Sequence, residues 1–435
     1  MSASPGRLRS AIFVLILASV STTLAVLAGE VAARALKPFR CRDDTGGFEE
    51  FDRWTGWANR RGATGWTQRC VGGSPEYRTW IDVDDRGLRG PAVPYARTPG
   101  VPRVLVLGDS FTMGAQVDLP QHFVTRLAAL LSEQKGGRVE VVNGGVNGWG
   151  TDNALLWFQH EGWRYHPDLV LLMFDNTNDV FENTHRLVGA APFYPEKPYF
   201  EAVGDRLVRR NFPLARESRG VHLRRQLVAW LQRHSELFRR LELPGLVMSW
   251  VVLPGGPRPA DGVTGAVAAE VLLRDYPPYW DEGWKVTGRL LRRFRRVVEA
   301  QGARPAVAVI NAREEVSPAR LELASQFFPT LRGKALDPDK PQRLTLAALS
   351  AAGLPTITML DAFRARFSKD STPGYFAWDM HWAAAGHELA ATLLADGVRA
   401  QRLLPVVGAA QNAAVAPPSQ GMTVPVVHPL SSASR

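Results

Sequence analysis

One stretch constrains this chain more than any other: Val104-Leu105-Val106-Leu107, followed by Gly108-Asp109-Ser110. An unbroken run of β-branched and leucine side chains reads as a buried strand. The turn residues end it, and a helical pattern follows from about His122 to Leu131. A strand, a sharp turn bearing a serine and then a helix is how α/β enzymes present a nucleophile at the carboxyl edge of a parallel sheet. The helix start beside such a turn also favours developing negative charge. On its own, a Gly-Asp-Ser turn is more often a capping turn than a site. Its meaning depends on the rest of the chain.

Three further stretches follow in order. Val139-Glu140-Val141-Val142 runs into a glycine-rich loop, Asn143-Gly144-Gly145-Val146-Asn147-Gly148-Trp149-Gly150. Leu169 to Phe174 is a second apolar strand, ending in Asp175-Asn176-Thr177-Asn178-Asp179. Trp378-Asp379-Met380-His381-Trp382 lies just before Ala385-Gly386-His387. Together these blocks resemble the SGNH (GDSL-type) hydrolase superfamily, whose four blocks supply a Ser, a Gly, an Asn and a His. The resemblance puts those residues at Ser110, Gly148, Asn178 and His381, with Asp379 as the partner of the histidine. It covers residues 100–185 and 300–395. Phe111 stands where the short family name has Leu, and Thr177 where many members have Gly. Asp379 and His381 are two apart where three is commoner. The shorter spacing is similar to that of bacterial members acting on extracellular polysaccharides.

Later strands are expected at Ala306–Ile310 and Pro355–Leu360, with helices over Trp284–Gln301, Leu344–Ala352 and Ala384 to about Leu403. Alternation of strands and helices argues a three-layer α/β/α domain with a central parallel sheet. The resemblance implies the flavodoxin-like version of that fold.

A second constraint comes from the amino terminus. Ser10 to Gly29 contains no charged residue, and twenty residues at 1.5 Å each span the ~30 Å hydrocarbon core of a bilayer. Residues 1–37 therefore read as a short cytoplasmic tail and an uncleaved signal-anchor, in preference to a signal peptide cut after Ala28. The short tail and the long domain after it favour an extracytoplasmic catalytic domain, periplasmic or at the cell surface. The two cysteines, Cys41 and Cys70, then suit a disulfide.

Residues 38–100 form a small β-rich extension. Trp54, Trp57, Trp66 and Trp80 occur there, Tyr77 to Val83 alternates like a strand, and a Gly87-Leu88-Arg89-Gly90 turn is similar to that of membrane-anchored bacterial SGNH proteins. The hydrolase domain spans 101–404, interrupted by an arginine-rich insertion at about 182–278. Leu223 to Leu241 in that insertion has helical periodicity, with Leu227, Trp230, Leu231, Leu237 and Leu241 on one apolar face. The insertion reads as a helical cap. Residues 405–435 lack periodicity and read as a disordered tail.

A net charge of +10 admits nucleic acid, anionic lipid or an acidic polymer as partner. No zinc-ligand spacing and no nucleic-acid motif accompanies it, so nucleic acid is set aside, and no cofactor or metal is expected. An anionic lipid or glycan contact by the arginines of the insertion is the remaining charge-based expectation.

By the resemblance, Ser110, Asp379 and His381 are the catalytic set. The Ser110 and Gly148 amides and the Asn178 side chain form the oxyanion hole. Asp109 is expected to fix the turn, Asp179 to cap a helix and His387 to be structural. The implied reaction is removal of a short acyl group, such as acetyl, from a carbohydrate or other surface ester. Acyl transfer to a sugar hydroxyl is the alternative, and a non-catalytic glycan-binding or assembly component the second.

Overall fold

The computed structural model describes residues 5–36, 41, 43, 47–185, 196–216, 223, 227, 230, 231, 234–240 and 267–405. The apolar amino terminus forms one helix, α1 (Pro5–Ala35). Phe13, Leu17, Leu24 and Leu27 on it are exposed, and Ile16–Ala35 is long and apolar enough to cross a membrane.

Two antiparallel hairpins follow, β1 (Glu49–Asp52) with β2 (Gly56–Asn59), and β3 (Thr64–Val71) with β4 (Ser74–Asp82). A Cys41–Cys70 disulfide, Cα–Cα 5.6 Å, ties the tip of the second hairpin to the segment after α1. Phe48, Ala63, Ile81 and Val83 pack against Met113 and Ala115, and Trp57 packs against Val146 and Trp149. The extension therefore leans on the loops that follow the first two sheet strands.

The α/β unit begins with β5 (Arg103–Gly108), α2 (Ser110–Met113), α3 (Phe123–Lys135), β6 (Glu140–Gly145) and α4 (Thr151–His160). It continues with β7 (Leu169–Asp175), α5 (Asp179–Glu182) and a hairpin of β8 (Tyr199–Val203) and β9 (Arg206–Arg210). After α6 (Glu236–Arg240) come α7 (Tyr279–Ala300), β10 (Arg304–Ile310), α8 (Arg313–Val316) and α9 (Pro318–Phe327). The unit closes with α10 (Lys340–Ala352), β11 (Thr356–Thr358), α11 (Leu360–Phe367) and α12 (Ala384–Ala400).

The five sheet strands are all parallel, in the order β11-β10-β7-β5-β6. This is the flavodoxin-like winding, and its direction reverses between β5 and β7, where open α/β sheets bind ligands. Side chains alternate between two cores. Leu105, Leu107, Val170, Leu172, Val307 and Val309 face α4, α7 and α10. Val104, Val106, Leu169, Leu171, Ala306 and Ala308 face α3, α11 and α12. Burial on both faces explains the uninterrupted apolar runs.

At the amino ends of β5 and β6, Arg103 is fully buried. Its Nε and Nη2 donate to Glu140 Oε2 at 2.9 and 2.7 Å, and its other donors reach the carbonyls of Tyr95, Ala96 and Tyr165. Such satisfaction is what a buried ion pair requires.

Some elements differ from the sequence reading. The last strand stops at Thr358, because Leu360 already begins α11. Part of the expected helical insertion is the β8–β9 hairpin, whose Phe200 is buried in the core that α7 shares. Leu227 and Trp230, expected on the apolar face of a helical cap, are helical and exposed, as is Leu223, while Leu241 of that face lies outside the described residues. Most of the remaining insertion and the tail after Pro405 lie outside the described residues.

The disulfide closes a loop with a sequence separation of 29 residues. Its reduction is expected to destabilise the folded chain by about 3 kcal/mol. Chemical denaturation with and without reductant checks this, read through a lower midpoint and a steeper slope, since the reduced unfolded chain exposes more surface.

Candidate active site

β5 delivers Ser110 to the sheet edge through a turn that only glycine permits. A Cβ on Gly108 would overlap Thr112 Oγ1 and crowd Met173. Asp109 Oδ1 accepts the Phe111 N–H at 2.9 Å and so caps α2, whose first residue is Ser110. Next door, a Cβ on Gly145 would overlap the backbone of Thr112 and Met113. Close approach of β6 to α2 explains the second glycine of the Gly-Gly pair.

His381 reaches the serine from the loop before α12. Its Nε2 lies 2.7 Å from Ser110 Oγ, and its Nδ1 is hydrogen-bonded to Asp379 Oδ1. The same carboxylate oxygen accepts the His381 backbone N–H at 2.9 Å. The spacing of two residues thus has a physical reason: the aspartate closes an Asx turn on its own loop and meets the ring with the same oxygen. With Nδ1–H directed at Asp379, Nε2 is left to accept the serine proton. Phe111 packs on the His381 ring, centroids 4.8 Å apart, which gives the larger residue a function at that position.

Asn178 and Gly148 approach from the neighbouring strands. Asn178 Nδ2 donates to Asp109 Oδ2 at 3.1 Å, leaving the second N–H of that amide for another acceptor. Thr177, where a glycine is common, donates its N–H and hydroxyl to Asp175 Oδ1 at 2.9 and 2.6 Å. Gly148 has φ +68°, in the left-handed region. Its loop leaves β6 beside β5, with Val146 N–H donating to the Gly108 carbonyl at 3.1 Å. The extension braces it: Trp57 Nε1 donates to Asn147 O at 2.7 Å, Trp149 Nε1 to Trp57 O at 2.9 Å, and Asn147 Nδ2 to Glu49 at 2.7 Å. Ser110, His381 and Asp379 are directly linked, Asn178 joins through Asp109, and the loop that carries Gly148 is tied to β5 through Val146. A separate cavity of about 310 Å³, bordered by Asp52, Trp54, Asn59 and His160, lies behind this loop and includes none of these five.

The charges are unevenly shared. Burial presses the His381 imidazole down, but the hydrogen bond and charge of Asp379, with Asp109 and Asp175 behind, outweigh it and raise its pKa. Burial pushes Asp379 up, but His381 and Arg69 hold it at about 2. Beneath the serine, Asp109, Asp175 and Asp179 are all buried and pushed upward, first by desolvation; neighbouring carboxylates add to this for Asp109 and Asp179. Asp179, expected as a helix cap, instead accepts from Thr151 Oγ1 at 2.8 Å and from the Asp175 N–H at 2.7 Å, fastening β7 to α4. His387 is buried and stacked on Phe123, and burial lowers its pKa to about 3.

Several residues at the site carry no motif. Glu76 in β4 accepts the Trp378 and Asp379 N–H groups at 2.7 and 3.1 Å. Arg69 in β3 lies 3.5 Å from Asp379 Oδ2 and 3.9 Å from Glu76. From the other side, Arg313 donates to the carbonyls of Phe376, Ala377 and Asp379, and Arg320 to that of Ala377. Gln116 Nε2 lies 3.0 Å from His381 Nδ1. Arg89, fully buried, holds the loop bearing Gln116 through the carbonyls of Met113, Gly114 and Val117. Only Arg89 had a signal in the sequence, the Gly-Leu-Arg-Gly turn.

A doubly wound parallel sheet with Ser110 at its reversal point, and Gly148, Asn178 and His381 in chain order, is the arrangement that the resemblance to SGNH (GDSL-type) hydrolases implies. Residues 280–421 match the family described as the SGNH hydrolase-like domain of the acetyltransferase AlgX. No curated protein matches the chain. Among solved structures, an acetylxylan esterase, Axe2 from Geobacillus stearothermophilus, is 15% identical over 68% of this chain and 94% of its own, TM-score 0.34. The α/β hydrolase LAE5 from the Lake Arreo metagenome is 14% identical over 70% and 97%, TM-score 0.35. A lipase/acylhydrolase from Enterococcus faecalis is 12% identical over 70% and 98%, TM-score 0.36.

NMR titration of the His381 ring is expected to give a midpoint above 6.5, and Asp379→Asn to lower that midpoint, since the strongest opposition to burial is then removed and only the more distant charges of Asp109 and Asp175 remain. Arg69→Gln removes a cation and moves the midpoint up; Glu76→Gln removes an anion and moves it down. The Arg69→Gln shift shrinks with added salt, because Arg69 is partly exposed. Equal or absent shifts would mean that the pair acts through packing alone.

Proposed function

We propose that this chain is a membrane-anchored, extracytoplasmic serine esterase that removes a short acyl group, such as acetyl, from a carbohydrate or other surface ester. One observation carries the reading: the unbroken hydrogen-bond chain from Ser110 Oγ through His381 to Asp379 at the sheet's reversal point. Ser110 Oγ attacks the acyl carbon as its proton passes to His381 Nε2. Backbone N–H groups of Ser110 and Gly148 and the free N–H of Asn178 receive the oxyanion. Collapse breaks the ester C–O bond, and His381 returns the proton to the departing alcohol oxygen. Water then gives a proton to His381 and attacks the acyl-serine, releasing the carboxylic acid and restoring Ser110.

Two features support the location and the substrate class. A Cys41–Cys70 disulfide suits an oxidising compartment, and α1 has the length and composition of a membrane anchor. Trp378 and Met380, 62% and 56% exposed, flank Asp379 and offer apolar faces on which a sugar ring can lie.

A second reading keeps the residues and replaces water by a sugar hydroxyl, giving an O-acyltransferase. The match of residues 280–421, which include Asp379 and His381, to the AlgX acetyltransferase family favours it.

A fluorophosphonate is expected to add to Ser110 and to no other serine, as read by mass spectrometry beside Ser110→Ala. With p-nitrophenyl acetate, Ser110→Ala should lose at least about 10⁴-fold in kcat/KM, and Asn178→Ala about 10²–10³. Acetylated oligosaccharide in the products, formed at the expense of acetate, identifies transfer. An unlabelled Ser110 under conditions that modify a control esterase overturns both readings in favour of a binding or assembly role.

A further inference from the structure

We infer that Leu223, Leu227 and Trp230 form a second membrane contact, with their apolar side chains in the lipid of the bilayer interface. The inference rests on α1 being a membrane span, as proposed above.

Three observations converge. Leu223, Leu227, Trp230, Leu231 and His234 are all helical, and Leu223, Leu227 and Trp230 are 67%, 53% and 53% exposed. Their spacing of four and then three residues stacks them on one face. Large apolar groups so aligned are normally buried; here the described residues leave them open. Next, between Ser218 and Ser235 the sequence has four arginines, Arg219, Arg224, Arg225 and Arg233, and no acidic residue. An apolar stripe with a tryptophan, in a stretch of sequence that has arginines and no acid, has the composition of an in-plane interfacial segment.

The third observation fixes the height of this segment. The last turns of α1 grip its carboxyl end. Glu30 accepts from Ser235 Oγ at 2.8 Å and from the Glu236 and Leu237 N–H groups at 2.9 and 3.0 Å. Arg34 donates to the His234 carbonyl at 2.9 Å. Gly29 lets Leu237 close on the helix, since a Cβ there would lie 3.0 Å from Leu237 Cδ2. The charge-free run ends at Gly29, so Glu30 and Arg34 mark the level at which α1 leaves the hydrocarbon. A segment hydrogen-bonded to that pair is held at the headgroups. Lipid is thus the occupant that continuity with the span supplies, and anionic headgroups match the four arginines.

Site-directed spin labelling tests this, because the native cysteines are both in the disulfide and an introduced one is the sole free thiol. The full chain is reconstituted in nanodiscs of phosphatidylcholine and phosphatidylglycerol. It carries one label at Leu17→Cys, Leu223→Cys, Leu227→Cys or Phe327→Cys. Power saturation with oxygen and with a water-soluble nickel chelate then reads depth. The expected result is a label deep in lipid at position 17, an aqueous one at 327, and labels at 223 and 227 with oxygen accessibility several-fold above the aqueous control, about 5–10 Å below the headgroup boundary. Labels at 223 and 227 that match the aqueous control while 17 is in lipid overturn the inference. They would point to solvent or a protein partner on that face. An aqueous label at 17 overturns the anchor reading and the inference with it.

Discussion

Burial of the sheet on both faces is the constraint from which the rest follows. With α3, α11 and α12 on one side and α4, α7 and α10 on the other, most positions along the strands are taken by apolar side chains, and buried polar ones such as Arg103 and Glu140 must be paired. Function is pushed to their carboxyl ends, where backbone groups run out of partners and loops take over. Winding outward from β5 in both directions leaves a crevice at one place. Ser110 and Asn178 occur there because the strands that carry them are neighbours at the reversal, not because they are near in sequence.

Glycine and buried acid set the precision of that crevice. Gly108 and Gly145 let two strand ends and α2 approach within distances that any side chain would prevent. Asp109, Asp175 and Asp179 then take up backbone and hydroxyl donors that the tight turns leave over. Three buried carboxyls close to one another are expensive. Their upward-shifted pKa values show the cost, and their position under the nucleophile and imidazole shows where it is incurred.

Much of this was legible in the sequence because it is local. The strand runs, the turn with Ser110, and the loops bearing Gly148, Asn178 and His381 announce themselves by period and by turn residues. Even the short spacing of Asp379 and His381 is intelligible once an Asx turn is drawn for it. What was not legible is contact between distant segments. Glu76 and Trp378 are 302 positions apart and Arg69 and Asp379 are 310 apart, and neither pair has any periodicity or motif to reveal it. Exposure failed for a similar reason. Leu227 and Trp230 were expected on one apolar face of a helical cap, and apolar periodicity reports one greasy side without saying what covers it.

The β3–β4 hairpin carries a consequence for how this molecule is divided. Read along the chain, the extension before residue 101 looks like an appendage that could be lost or exchanged. Read in space, it is a wall of the site: it holds the aspartate loop through Glu76, and its neighbour β1–β2 holds the loop of Gly148. Inheritance of the chemistry is therefore not inheritance of the α/β unit alone. A gene fusion that borrowed only that unit would receive the nucleophile and the imidazole without half of the frame that aligns them. Related chains that lack the hairpin must brace the same loop by other means.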